Sequence, residues 1–183
     1  MKKSLAIVLA CTLAFVFAAC SAPAASSAPA SSAPAASSAA SSEAAIDPAV
    51  VEKNTATVKS AVEKMLTLPN EEIAAAGEGI ADVVKAQYAD EFSDKGIESA
   101  IGKNAWKDHV TAAENKASAA PTDVQITNTD ERHFLYTATV TVTLADGTTQ
   151  DVTAKGNVQL DEDGKINYFK PVRTVLQDVT FGE

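Results

Sequence analysis

Between Phe134 and Leu144 apolar side chains take every second position. Phe134, Tyr136, Ala138, Val140, Val142 and Leu144 form one set, and Thr137, Thr139, Thr141 and Thr143 stand between them. Successive side chains of a strand point to opposite faces, so this pattern dictates a strand with one dry face and one wet face. A dry face must be covered, and one strand cannot cover itself. The flanking sequence supplies partners. Val124 and Ile126 suggest a strand before it, and Asp146-Gly147 is a hairpin turn signal after it. Val152, Ala154, Val158 and Leu160 then alternate with Asp151, Thr153, Lys155, Asn157 and Gln159. Asp163-Gly164 turns the chain once more, into a strand whose apolar side reads as Ile166, Tyr168, Val172 and Leu176. Pro171 marks a bulge, an edge or the end of pairing there. The expectation is an antiparallel meander of about four strands.

Before Pro121 the period is helical. Asp47-Pro48 reads as an N-cap followed by proline at the first helical position. Val51, Val58, Val62 and Met65 make one buried stripe of a helix ending near Leu66. Asn70 with Glu71-Glu72 starts a short helix that stops at Gly77. Ile80, Val83, Val84, Tyr88 and Phe92 outline another, closing near Ser93 to Gly96. The stretch 97–117 reads as helical, broken at Gly102 and anchored by Ile101, Trp106 and Val110. Helices followed by a one-sided sheet predict an α+β domain, with the helices on the dry face.

The amino-terminal part obeys different rules. Lys2 and Lys3 precede an apolar run from Leu5 to Phe17 broken only by Thr12, and Ala18-Ala19 stand before Cys20. A cationic end, an apolar middle and small residues at a cut form a secretory signal. The run is shorter than the roughly 20 residues that span a bilayer. An ordinary secretory signal with a coincidental cysteine is the other alternative. Phe17-Ala18-Ala19-Cys20 resembles the lipobox of bacterial lipoproteins, with Phe17 where leucine is commoner. The resemblance implies cleavage between Ala19 and Cys20, diacylglyceryl attachment to the Cys20 sulfur and acylation of the new amine. Residues 1–19 would then be a leader and 20–43 a tether, with the globular domain at 44–183. Ser21 to Ser42 contains only Ser, Ala and Pro, a composition with nothing to bury and so expected to be disordered.

Composition narrows the function. The chain carries 24 acidic against 15 basic residues, a net charge of −9, and losing Lys2 and Lys3 makes it more acidic. Nucleic acid is therefore not an expected partner. Anionic headgroups are no better match, so the N-terminal lipid is expected to hold the chain on the extracytoplasmic face of a membrane. Cys11 would leave with the leader and Cys20 be consumed by lipid, leaving the domain no thiol for a disulfide, a zinc site or a nucleophile.

A block of helices followed by a strongly bent antiparallel meander, here over Asp47 to Phe181, resembles the nuclear-transport-factor-2-like (cystatin-like) superfamily. The resemblance rests on element order rather than a motif, and implies a sheet curled around the helices into a cone. The cone's open end holds a ligand, an active site or nothing. A plain α+β sandwich with helices on one sheet face is the alternative fold. Enzymes of the superfamily place Asp, Tyr or His inside the cone. By face the candidates for pocket lining are Tyr136 and Tyr168, with Phe134 and Trp106. Trp106 is the sole tryptophan, and core packing is its ordinary role.

A carboxylate on the same face is needed for acid–base work, and Asp151 falls on the polar face. His109 and His133 lack a second ligand at metal spacing, and both are expected to be solvated. Asp161-Glu162-Asp163-Gly164 lacks the later bidentate Glu of a calcium loop and reads as a turn. No catalytic residue, metal or cofactor is assigned. The expectation is a lipid-anchored, non-catalytic module for a small ligand or an envelope protein. A small isomerase- or dehydratase-like enzyme and a structural envelope protein are the alternatives.

Overall fold

The computed structural model describes residues 47–181, so the expected leader, the tether and the modification at Ala19 and Cys20 lie outside the described residues. Helices come first: α1 (Pro48–Leu66), α2 (Glu71–Ala75), α3 (Ile80–Tyr88), α4 (Asp94–Gly102) and α5 (Lys107–Glu114), with one 3-10 turn at Gly77–Gly79. Strands β1 (Ser118–Asn128), β2 (His133–Thr143), β3 (Thr149–Leu160) and β4 (Ile166–Arg173) follow as a wholly antiparallel meander in the order β1-β2-β3-β4. The chain is an α+β protein with its helices against one sheet.

Local chemistry sets the boundaries. The Asp47 carboxylate accepts the Ala49 N–H to open α1, and the Asn70 side chain accepts the Ile73 N–H to open α2. Ser93 does not end a helix as expected but begins one, its hydroxyl accepting the Gly96 N–H of α4. Gly102 does interrupt the 97–117 stretch, as expected. It is the last residue of α4, and the turn is made by Asn104 at φ 54°. Asn104 N–H reaches Ile101 O and Ala105 N–H reaches Ala100 O, the paired bonds that close a helix through a left-handed residue. Lys116 at φ 52° does the same for α5. Asparagine tolerates this conformation better than most residues, and no glycine marks either site in the sequence.

The dry face follows the alternation. Phe134, Tyr136, Ala138, Val140 and Val142 of β2 are buried, as are Ala154, Val158 and Leu160 of β3. Against them pack Val58, Ala61 and Val62 of α1, Ile73 of α2, Val84 and Tyr88 of α3, and Ile97 of α4. In β4 the alternation breaks. Leu160 pairs with Ile166 and Gln159 with Tyr168, so Asn167 is an extra residue in a bulge. A bulge reverses which side chains face inward beyond it. Ile166 and Phe169 therefore both enter the core, while Tyr168 shares the outer face with the exposed Gln159. A second shift after Pro171 leaves Val172 60% exposed on this edge strand.

Two glycines permit close approaches. A Cβ on Gly96 would lie 1.8 Å from Ile166 O, so α4 crosses β4 backbone to backbone. A Cβ on Gly156 would lie 2.4 Å from Tyr136 Cε1, because the Tyr136 ring lies over its cross-strand partner.

Candidate functional site

Polar groups that the fold leaves without partners separate the surface depressions of this domain. Near the start of α1, a cavity of about 340 Å3 is lined by Lys53, Asn54, Glu131, Arg132, Asp161, Glu162 and Asp163. Most of its charged groups are engaged, although the Lys53 ammonium has no partner among the described residues. Glu131 accepts the Asp47 N–H at 2.6 Å, Asp161 accepts the N–H groups of Asp163 and Lys165, and Glu162 pairs with Arg132 at 3.5 Å. The acidic turn 161–164 is thus held by its own hydrogen bonds. Among the described residues no His, Cys, Asp and Glu cluster is arranged to hold a metal ion.

A second depression lies beside Lys64, Asn70, Gln87 and Tyr88. Here too the amides bond one another: Asn70 Nδ2 donates to Gln87 Oε1 at 2.7 Å, and Gln87 Nε2 donates to Glu72 at 2.6 Å. The Lys64 ammonium and the Ser60 hydroxyl both donate to Oε1 of the buried Glu91.

The third depression is different. At the far end of α1, a narrow slot of about 20 Å3 is lined by Met65, Leu66, Ala105, Asp108, Tyr136, Phe169, Pro171, Thr174 and Val175. It shares Asp108, Pro171 and Thr174 with a cleft of about 380 Å3 whose other walls include Lys103, Asn104, Lys107 and Thr111. Tyr136 is 2% exposed, and its hydroxyl makes no hydrogen bond among the described residues. Burial, and secondarily the Asp108 charge, push its pKa up, so the hydroxyl stays protonated and is a donor. Three features aim it. The ring rests on Gly156, stacks on Phe169 with centroids 5.6 Å apart, and rises from the middle of β2.

Asp108 sits in the first turn of α5. Its Oδ2 accepts the N–H groups of Val175 at 2.7 Å and Leu176 at 3.1 Å, which fastens the segment after β4 across the mouth. Lys103 and Lys107 have no ion-pair partner among the described residues, although the chain as a whole is acidic. The Lys103 ammonium lies 5.2 Å from the Tyr168 ring centroid, a cation–π contact that holds it at this end.

Behind the slot is an aromatic wall. Trp106 is 2% exposed and packs on Tyr88 (4.8 Å between centroids), Phe92 (6.2 Å) and His109 (6.1 Å). His109 was expected to be solvated but is fully buried. The Asn70 N–H donates to its Nδ1 at 2.9 Å, and burial lowers its pKa from 6.5 to about 4. The ring is therefore neutral with its proton on Nε2. Both His109 Nε2 and Trp106 Nε1 are buried without a hydrogen-bond partner.

Of the four side chains expected to line a pocket, only Tyr136 reaches the slot. Phe134 and Trp106 are core, and Tyr168 lies outside, touching the cleft through Lys103. Asp108, Lys103 and Lys107 were not singled out from sequence. The one signal for Asp108 was an acidic residue in the first turn after Trp106, which any helix start explains.

No family model matches this chain, and no curated protein matches it. Two solved structures are similar in outline. A candidate polyketide cyclase of Xanthomonas campestris pv. campestris covers 67% of this chain and 90% of its own, at 10% identity and a TM-score of 0.43. A periplasmic fragment of TraM covers 68% of this chain and 97% of its own, at 11% identity and a TM-score of 0.41. Both are likenesses of outline alone. None of the described helices is long and apolar enough to cross a membrane.

Proposed function

We propose that this chain is a lipid-anchored extracytoplasmic lipoprotein whose domain, a nuclear-transport-factor-2-like cone, binds a small ligand at the mouth between α4–α5 and the segment after β4. The observation that carries the binding reading is the unpartnered Tyr136 hydroxyl at the floor of the slot. That hydroxyl bonds no protein group among the described residues and is not sealed away as Trp106 Nε1 and His109 Nε2 are, so it is free to donate into the slot. A ligand oxygen would complete it. The anchoring reading rests on the sequence from Lys2 to Cys20 and on the Ser/Ala/Pro tract that follows it.

Anchoring is tested by mass spectrometry of the mature amino terminus. A diacylglyceryl group on Cys20 is the expected result, and a free thiol ends the reading. Cys20→Ala should leave the chain unprocessed or released from the membrane. Binding is tested by the ligand titrations described below.

One observation favours a second reading, an isomerase- or dehydratase-like enzyme. Asp108 and Tyr136 line the same slot, and a carboxylate beside a protonated hydroxyl is the pair such chemistry uses. The non-catalytic reading is preferred because Asp108 Oδ2 already binds two backbone amides, which fixes it as a clamp. Turnover of an oxo or hydroxy acid that disappears in Asp108→Asn, with binding retained, would reverse that preference.

A further inference from the structure

We infer that the ligand of this mouth is an organic monoanion whose other end is uncharged and carries one acceptor oxygen. The inference rests on the binding reading above and narrows it to a chemical class.

Charge is distributed unequally over the two joined spaces. The outer cleft carries Lys103 and Lys107, exposed and without carboxylate partners among the described residues. Of the basic residues lining the other two depressions, Lys64 pairs with Glu91 and Arg132 with Glu162, while Lys53 has no ion pair among the described residues. An anionic head at the outer cleft gains from two unpaired ammonium groups against one carboxylate, Asp108, whose Oδ2 is turned onto the Val175 and Leu176 amides.

The inner slot has the opposite preference. Asp108 is its only charged lining residue, and its other walls are chiefly Met65, Leu66, Phe169, Pro171 and Val175. A second carboxylate pushed into the slot would meet the Asp108 charge at low dielectric, which is strongly unfavourable. A cationic end would find Asp108 but would have to pass Lys103 and Lys107 and give up its hydration among apolar walls. A neutral hydrocarbon end meets neither penalty. Its one polar opportunity is Tyr136, whose hydroxyl lines the slot with no protein partner among the described residues and is free to donate, so a single carbonyl or ether oxygen fits. The slot's volume of about 20 Å3 is near that of a single water-sized group, so the inserted end is short.

The test uses the whole mature chain made without its leader and with Cys20→Ser, so that no lipid competes. Amide NMR shifts are followed during titration with 5-oxohexanoate, hexanoate, adipate and hexylammonium. The expected order places 5-oxohexanoate first, hexanoate several-fold weaker, and adipate and hexylammonium at least tenfold weaker, with shifts at residues 103–111 and 171–177. Tyr136→Phe should erase the difference between 5-oxohexanoate and hexanoate. The double variant Lys103→Glu, Lys107→Glu, on exposed positions that do not endanger folding, should abolish the preference for the anion. Equal binding of hexylammonium or adipate overturns the assigned class and leaves a binding mouth in place. Absence of localised shifts with every probe overturns the binding reading itself.

Discussion

The two ends of α1, roughly 28 Å apart at 1.5 Å per residue, treat polar groups in opposite ways. At the first end the Asp47 N–H, the Asn54 amide, Glu131 and Asp161 all bond one another or nearby backbone. Asn54 is 4% exposed, and its Nδ2 donates to Glu131 O at 2.8 Å. At the second end Trp106 Nε1 and His109 Nε2 are buried and find nothing, and the Tyr136 hydroxyl, not fully enclosed, bonds no protein group among the described residues. Glu91 Oε2 is the other buried unpartnered side-chain atom among the described residues, and its second oxygen already holds Lys64 and Ser60. The first end is made of tight turns whose short polar side chains are within reach of backbone amides. The second is made of helix ends and an edge strand meeting at a gap.

The comparison breaks first if the closed end tolerates disruption. Gly96→Ala puts a methyl group 1.8 Å from Ile166 O, where neither backbone is able to move independently. The expected loss is on the order of 3 kcal/mol or more, read from urea midpoints. A loss below about 1 kcal/mol would mean that α4 and β4 are not locked.

His109 gives the next largest effect and tests the open end. Its folded pKa of about 4 lies below its ordinary 6.5, so the unfolded chain binds the proton more readily. Stability from this group is complete above pH 6.5 and is lost as pH falls toward 4, by about 3 kcal/mol across that window. Urea unfolding at pH 7 and pH 4.5 should show the decline, and His109→Gln should flatten it. An unchanged slope in the variant would mean that carboxylates carry the acid sensitivity instead.

The fold was legible where one physical signal governed each residue. The alternation of β2 and β3, the turns at Gly147 and Gly164, and the Asp47 and Asn70 caps all depend on neighbours in sequence. Tyr168 was misplaced because the bulge at Asn167 depends on how β4 meets β3, and no residue type announces it. The left-handed turns after α4 and after α5 were hidden because Asn104 and Lys116, rather than glycines, make them. His109 reads as a polar residue beside Asp108, and its burial follows only when Trp106, Tyr88 and Asn70 converge from distant segments. The candidate site suffered most. Its floor, clamp and lysines come from β2, α5 and the α4 terminus, and no spacing in the chain links them.

Asp108 offers a smaller effect with a sharper location. Its two amide bonds hold the segment after β4 across the mouth. Asp108→Ala should cost about 1.5 kcal/mol, near the low end for hydrogen bonds to a charged group because the carboxylate is partly solvated. The distinguishing readout is hydrogen exchange. Val175 and Leu176 amides should lose protection while amides of β2 and β3 keep theirs. Uniform loss across the sheet would show that Asp108 stabilises the whole core rather than one flap.

The smallest expected effect decides the comparison. Tyr136→Phe deletes only a hydroxyl oxygen from a side chain 98% removed from solvent. Where a buried tyrosine hydroxyl bonds to the protein, its loss costs about 1 kcal/mol. Here it has no partner among the described residues, and the ring keeps Gly156 and Phe169 beneath and beside it. The expected change in unfolding free energy is therefore within about 0.5 kcal/mol, since no protein hydrogen bond is lost. A silent substitution at a core position would mean that the hydroxyl serves something other than the fold. A cost of 1 kcal/mol or more would mean that it is already satisfied from within, and the open end of the molecule would then be as closed as the other.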